Sequence, residues 1–276
     1  MERRRFLRGA AAAVAVGVAG CNGGGDDGSP GTTDDGGRVT VDPTPTPQPG
    51  PTTPPDPEKP DPLDAEGATA FVRATERRRT YDEIVTDDTE EVSLTCEAFH
   101  HRSAGDGHVV LTGCGGSASG GGDTVDVSGR PTFYYVGPER TVRVEGAERI
   151  DRPSDAAYAA EDDADNVDTA GGVRLYSFLD SSQRVSVEVT HLTSGDTALD
   201  EEYDLDAGSG VVVENVARRR GSYGVTVGVG DASATGGWTV TEDTVGRAVL
   251  TGTVAPGPDV GVQPARIEEI VALGPV

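Results

Sequence analysis

The chain has 276 residues, of which 35% are apolar, 39 are glycine and 18 are proline, so it can form one or two folded domains joined to a sizeable share of linker. Its formal net charge is −24, and Lys59 is the only lysine. This charge argues against nucleic acid as a partner, because a phosphate backbone requires a basic surface, and it favours a halophilic protein that stays hydrated at high salt.

The first segment of the chain has the pattern of an export signal. Arg3 and Arg4, followed by one more arginine, Phe6 and Leu7, match the R-R-x-F-L core of twin-arginine signals. The small and weakly apolar run that follows is shorter than the roughly 20 residues that span a bilayer. We therefore predict that residues 1–20 form a cleaved signal rather than a membrane helix.

The residues VAGC that end at Cys21 match a lipobox, in which the cysteine carries a lipid. Cys21 would then become the first residue of the mature protein. Later segments of the chain do not reach the apolar length of a transmembrane helix. Lipid on Cys21 is therefore the predicted link to the outer, extracellular face of the cytoplasmic membrane.

Residues 21–61 are predicted to form a disordered stalk. Its first half consists mainly of glycine, aspartate and threonine, which cannot build a core. The following stretch PTPTPQPGPTTPPDPEKPDP, residues 43–62, has ten prolines in 20 residues. This composition favours extended polyproline II about 60 Å long, which would hold a folded domain away from the membrane.

The signal, the lipobox, the aspartate-rich and nearly lysine-free composition and the Thr/Pro stalk together resemble the exported surface lipoproteins of extremely halophilic archaea. The specific motifs of this resemblance cover only the first 21 residues. The resemblance implies an archaeal-type lipid on Cys21 and a folded part outside the cytoplasmic membrane.

A helix is predicted directly after the stalk. Asp61 is the expected N-cap, with Pro62 at the first helical position. Apolar residues from Phe71 to Val85 recur at helical spacing. The pattern indicates a helix of about 20 residues with one apolar face.

After this helix the apolar residues alternate with polar ones, as in β-strands. The strand candidates are EVSLTCEAF, HVVLTGC, TVDVS, TFYYV and RTVRVEG. Together with the helix they predict an α+β unit over residues 62–150, made of one helix and an antiparallel sheet.

The rest of the chain is predicted to form an acidic linker, residues 151–172, and an immunoglobulin-like β-sandwich, residues 173–276. Strand candidates recur about every ten residues in the second region, which is typical of a sandwich; they are VRLYSFL, RVSVEVTHL, ALDEEYDLD, GVVVENV, YGVTVGV, GWTVTE, AVLTGTV and ARIEEIV. Tyr223 and Trp238 are expected in its core. The predicted fold class is therefore mainly β.

With Cys21 assigned to the lipid, Cys96 and Cys114 remain as a pair. They lie on successive strand candidates, and export would place them in an oxidising compartment. The sequence therefore predicts a structural disulfide between them.

Three imidazoles and a carboxylate cluster in HHRSAGDGH, between the two cysteines. His100, Asp106 and His108 form a candidate metal site with an open position for water. Neighbouring His101 would point to the opposite face of the strand from His100, so only one of the two is expected to join His108. A solvated loop without metal is the other interpretation.

A glycine-rich stretch and two arginine clusters are interpreted as structural features rather than as functional sites. The glycine-rich stretch GCGGSASGGGD lacks the G-K-[ST] ending of a phosphate-binding loop and is expected to be a mobile loop. The arginine clusters 77–79 and 218–220 are expected to neutralise nearby acidic residues.

These patterns predict a lipid-anchored extracytoplasmic protein with a non-catalytic role in binding, adhesion or envelope structure. We expect no catalytic residue and no cofactor. The expected partners are the membrane, through the lipid, and a surface ligand or envelope protein. The alternative is an exported metal-dependent hydrolase that uses His100, Asp106 and His108.

Overall fold

The computed structural model describes residues 51–128, 131–144, 146–242, 249–256 and 259–264. The predicted export signal, the lipidation site Cys21 and the stalk up to residue 50 lie outside these ranges, as does the predicted strand ARIEEIV. Among these described residues, no helix has the length and the apolar composition that a membrane span requires.

Helix α1 runs from Ala65 to Ile84. Its N-cap is Asp64, whose carboxylate accepts a hydrogen bond of 2.7 Å from the amide of Gly67. The predicted cap, Asp61, is therefore three positions too early. The chain before the helix is tied to the following sheet by Lys59, which donates hydrogen bonds to two carbonyls in residues 137–138.

The end of the predicted stalk, residues 51–61, is held against this helix. Tyr81 Oη donates to the carbonyl of Pro51, and Arg78 Nη1 donates to that of Pro54, both at 2.8 Å. Carbonyls in polyproline II have no partner within their own segment, so donors on a neighbouring helix can fix them. The structure thus differs from the predicted disordered stalk over these residues.

The first sheet contains five strands, all of them antiparallel as predicted. They are β1 (Glu91–Ala104), β2 (Gly107–Gly120), β3 (Asp123–Ser128), β4 (Thr132–Val136) and β5 (Thr141–Arg143). Their order is β1-β2-β4-β5, and β3 pairs with the second half of β2. Strand β1 therefore lies at an edge of the sheet.

Two further sheets form a β-sandwich. The second sheet has the order β14-β13-β7-β10-β6, and the third has the order β12-β11-β8-β9. Their strands are β6 (Gly146–Asp151), β7 (Asn166–Ser177), β8 (Gln183–His191), β9 (Thr197–Leu205), β10 (Ser209–Arg219), β11 (Gly221–Val229), β12 (Ala232–Val240), β13 (Val249–Ala255) and β14 (Asp259–Pro264). The second sheet is mixed, because β6 runs parallel to β10 and β13 runs parallel to β7.

The centre of the first sheet, around β2 and β4, is buried on both faces. The core on its helix-facing side contains Ala68, Val72, Val110, Tyr134 and Val136. The core on its other side contains Ala104, Val109, Leu111, Phe133, Tyr135, Val144, Tyr176, Phe178 and Ala255. Burial on both faces explains why TFYYV in β4 is a continuous apolar run rather than an alternating one.

The sandwich has its own core between the second and third sheets. The alternating valines Val185, Val187 and Val189 of β8 are almost completely buried in it. Tyr223 and Trp238 lie there as predicted, with ring centroids 5.3 Å apart. The predicted fold class, mainly β with one helix, an antiparallel sheet and a β-sandwich, is confirmed.

The segment predicted as an acidic linker, residues 151–172, contains regular structure. It holds two short 3-10 turns, Ser154–Ala156 and Asp163–Asp165, and the first half of β7. Val167 is buried in the sandwich core although aspartates and glycines surround it in the sequence. Pairing with β10 orders this half-strand, and that long-range contact leaves no alternating pattern in the sequence.

The glycine-rich stretch is also a strand and not a mobile loop. Residues 114–120 continue β2 and pair with β1 on one side and with β3 on the other. A Cβ on Gly120 would lie 1.9 Å from the carbonyl oxygen of Asp88. Glycine is needed here because the neighbouring backbone approaches too closely for a side chain.

Candidate functional site

A groove lies between α1, the extended segment before it and the edge strand β1. It consists of two adjoining hollows of about 520 and about 420 Å³. Pro54, Arg77 and Leu94 line both hollows and join them. We call this feature the helix–edge groove.

Apolar side chains form part of the floor of the helix–edge groove. Ala70 and Ala74 on the helix line it together with Leu94 on the strand. Leu94, Thr95 and Cys96 are consecutive in β1, yet all three line the groove. Since side chains alternate along a strand, the backbone of the sheet edge must face the groove as well.

Two exposed arginines, Arg73 and Arg77, stand on the helix wall of the groove. They are four residues apart and therefore lie on one face of α1. Within the described residues neither forms a hydrogen bond or ion pair. The groove thus offers two unpaired positive charges in a protein whose net charge is −24.

The two arginines that follow Arg77 behave differently. Arg78 is paired with Asp82, and Arg79 is paired with Glu83. The prediction that the 77–79 cluster neutralises nearby acid is therefore right for its second and third members and wrong for its first.

The second arginine cluster, residues 218–220, has mixed partners. Arg220 forms an ion pair with Glu242. Arg219 donates a hydrogen bond of 3.1 Å to Tyr158 Oη, and Arg218 donates one of 3.4 Å to a backbone carbonyl in β7. Neutralisation of acid by a direct ion pair is thus seen for Arg220, whereas the other two contact neutral groups.

The other end of the helix–edge groove is acidic. Glu90 and Glu91 line the second hollow together with Tyr81. A ligand along the groove would therefore meet positive charge at one end and negative charge at the other. The arrangement suits an extended molecule better than a compact anion.

The structure brings His100 and His108 together. His100 lies opposite Val110 in the β1–β2 register, and His108 is two residues before Val110, so both rings share one face. His108 Nδ1 lies 3.2 Å from His100 Nε2. Burial and the nearby His108 lower the pKa of His100 below its ordinary value.

His101 lies on the opposite face, as predicted. Its ring packs edge-on against Phe133, with centroids 5.4 Å apart, at the core between the first and second sheets. The strand has a bulge between His100 and Arg102, where the register shifts by one residue. A bulge of this kind changes the direction in which the side chains on either side of it point.

Asp106, the third member of the predicted metal site, is not with the two imidazoles. Its carboxylate accepts a hydrogen bond of 2.9 Å from Tyr135, whose ring belongs to the core on the other face of the sheet. Burial, with a smaller contribution from Asp106, raises the pKa of Tyr135 to about 12. Across the described residues, no three His, Cys, Asp or Glu side chains are grouped to hold a metal.

Cys96 and Cys114 form the predicted disulfide. They are directly opposite each other in the β1–β2 register. Both are buried, and Cys96 also lines the helix–edge groove. The bond therefore fixes the strand that forms one wall of the groove.

The buried histidine of the sandwich, His191, has a structural environment. Its Nδ1 lies 2.9 Å from Ser194 Oγ, and its Nε2 faces the carbonyl of Arg220. Tyr158 Oη donates to Asp196 at 2.7 Å, and hydrogen bonds from Ser194 and Tyr158 lower the pKa of Asp196. These contacts hold the turn between β8 and β9.

Arg73 and Arg77 are not among the site residues predicted from the sequence, although the sequence carries a signal for them. Arg78 and Arg79 each have an acidic residue four positions later. Neither Arg73 nor Arg77 has an acidic residue at that spacing, which indicates charges available to another molecule.

Residues 181–262 match a family model described as a halobacterial Ig-like domain. The matched segment includes the whole third sheet of the sandwich. Searches among curated proteins and solved structures gave no significant match. An Ig-like domain indicates a non-catalytic binding or structural role, and the helix–edge groove lies outside the matched segment.

Proposed function

We propose that this protein is a lipid-anchored, extracytoplasmic binding protein of the haloarchaeal cell surface that holds extended peptides in its helix–edge groove, with acidic side chains of the peptide on Arg73 and Arg77. The observation that carries the proposal is the pair Arg73 and Arg77, unpaired within the described residues and placed above a partly apolar floor. The match to an Ig-like domain supports the non-catalytic character, and the halobacterial family of that domain supports the source.

The anchor is proposed from the signal and from Cys21. In a haloarchaeal host, Cys21→Ala should move the protein from the membrane fraction to the medium, because the lipid is the proposed membrane attachment. Immunoblots of the two fractions measure this. The matched control is Cys96→Ala with Cys114→Ala, which should stay on the membrane, and a Cys21→Ala protein that also stays there would contradict lipid anchoring.

Acidic side chains on the part of the ligand that meets Arg73 and Arg77 follow from the charge at that end of the groove. Guanidinium groups bind carboxylates through two parallel hydrogen bonds, so side chains of aspartate or glutamate suit Arg73 and Arg77. The surrounding negative surface would repel an acidic ligand from other places. The two arginines are therefore placed to select where such a ligand binds.

An extended peptide follows from the edge strand. Within the described residues β1 pairs only with β2, so its outer edge offers backbone amides and carbonyls beside the groove. A peptide can add to such an edge as a further strand, with its main chain providing affinity and its side chains specificity. Leu94 and the two alanines of the groove floor then accept its apolar side chains.

Binding is tested with a short fluorescein-labelled peptide that alternates aspartate and valine and is long enough to meet only the arginine end of the groove. Changing both Arg73 and Arg77 to glutamine should weaken binding about tenfold, since exposed charge contacts contribute up to about 1 kcal/mol each. Fluorescence anisotropy of the full chain measures the affinity. The affinity of the unchanged protein should also fall as salt rises, because salt screens exposed charges.

Two controls make this test specific. Arg184→Gln removes an arginine that is 66% exposed in the third sheet and should leave binding unchanged. A peptide with asparagine in place of aspartate should bind as weakly as the acidic peptide binds the double variant. Equal affinity of the double variant and the Arg184→Gln protein for the acidic peptide would contradict the proposed site.

A further inference from the structure

We propose that His100 and His108 form a two-imidazole binding site for a divalent transition-metal ion, with Cu²⁺ preferred over Zn²⁺. The pair lies outside the helix–edge groove lining and outside the matched Ig-like segment. The proposal therefore stands independently of the peptide-binding function.

The two ring nitrogens are close enough to bind one metal ion between them. His108 Nδ1 and His100 Nε2 are 3.2 Å apart. An ion about 2.0–2.1 Å from each nitrogen would join them at an angle of about 100°, which lies between the angles of a tetragonal Cu²⁺ site and a tetrahedral Zn²⁺ site.

Strand pairing fixes the positions of the two rings. His100 and His108 lie on paired strands, and the β1–β2 ladder sets the spacing between them. Both side chains are only partly buried, so solvent and ions can reach them. A pair that is already in position loses little conformational entropy when it binds an ion.

The remaining coordination positions would belong to water. Asp106 is engaged by Tyr135, and His101 faces the other core, so neither completes the site. Ser103 Oγ lies 3.4 Å from His108 Nδ1 and is exposed, which places a hydroxyl next to a metal-bound water. Imidazole ligands with open positions favour Cu²⁺ in the usual order of divalent affinities.

Binding requires a rearrangement of one proton. In the metal-free pair, one imidazole nitrogen donates its hydrogen to the other across the 3.2 Å contact. For both nitrogens to bind the ion, the donating ring must carry its hydrogen on its other nitrogen. No proton is released if both rings are neutral at the start.

The test is electron paramagnetic resonance of the full chain with one equivalent of Cu²⁺. We expect superhyperfine coupling from two nitrogens, which carboxylates on the acidic surface cannot produce. His100→Gln and His108→Gln should each remove one nitrogen and weaken Cu²⁺ binding at least tenfold. His101→Gln is the matched control, because it changes the adjacent imidazole on the opposite face.

The unchanged protein decides the outcome even if a variant fails to fold. Coupling from fewer than two nitrogens in its spectrum would overturn the proposal. Two-nitrogen coupling that persists when both His100 and His108 are glutamine would overturn it as well. Loss of the two-nitrogen coupling only in the His101→Gln protein would place the ion on the other face of the sheet and would also overturn the proposal.

Discussion

Replacing Cys96 and Cys114 together with alanine should lower the free energy of unfolding by about 3 kcal/mol. The two residues are 18 positions apart and are joined across β1 and β2. A cross-link that closes a loop of this size removes conformational entropy from the unfolded chain equivalent to about 3 kcal/mol. For a domain of this size, the loss corresponds to a fall of roughly 6–12 °C in Tm.

Denaturant unfolding in high-salt buffer measures this loss as a shift of the transition midpoint. Reduction of the unchanged protein in denaturant should produce a similar shift, because it also opens the loop. The reductant should have no effect on the alanine variant, which serves as the matched control. A variant with the midpoint of the unchanged protein would contradict a stabilising disulfide.

The Cys96–Cys114 disulfide also supports the proposed binding site. Cys96 lines the helix–edge groove, and β1 provides both its edge and Leu94. Opening the disulfide leaves β1 attached by its β2 pairing and by the packing of α1. We therefore expect the groove to lose its shape before the sandwich, whose core is separate, unfolds.

Alternating strands could be predicted from the sequence because one face of each is in a core and the other is in water. Val185, Val187 and Val189 show this pattern, and β8 contains them as predicted. Strand β4 was predicted from a short apolar run, and its burial on both faces explains that run. The fold class follows from these two kinds of pattern.

Elements that depend on a distant partner could not be predicted in the same way. The first half of β7 is rich in aspartate, threonine and glycine, and it is ordered by pairing with β10. The second half of β2 consists mainly of small residues, and it is a strand because β1 and β3 lie on either side. Local sequence carries little trace of such contacts.

In the candidate sites, too, some features could be predicted from local sequence and others depend on distant residues. That the adjacent residues His100 and His101 face opposite sides follows from the two-residue period of a strand. The direction of Asp106 depends on Tyr135, which is 29 residues later, and could not be predicted from local sequence. The two groove arginines are on one face by helical spacing alone, but the opposing wall comes from β1 after the fold has formed.

Gly116→Ala should destabilise the protein by at least about 2 kcal/mol, the middle of the range for overpacked sites. Gly116 has a φ of +149°, and a Cβ there would lie 1.8 Å from the carbonyl oxygen of Ser93 in β1. Neighbouring Gly115 is the matched control, because its Cβ would meet nothing closer than 3.7 Å. Gly115→Ala should change stability by no more than about 0.5 kcal/mol.

The Gly116→Ala and Gly115→Ala variants also test whether the shape of the groove depends on the position of β1. In the Gly116→Ala variant, the added Cβ would clash with the backbone of Ser93, so β1 must move there. Ser93 is directly beside Leu94 on the groove floor. Gly116→Ala should therefore weaken binding of the acidic peptide as well as lower the denaturant midpoint, whereas Gly115→Ala should do neither. Equal loss of stability in the two variants would contradict the close approach of β1 to Gly116. A Gly116→Ala protein that is destabilised but keeps its peptide affinity would show that the groove does not depend on the position of β1.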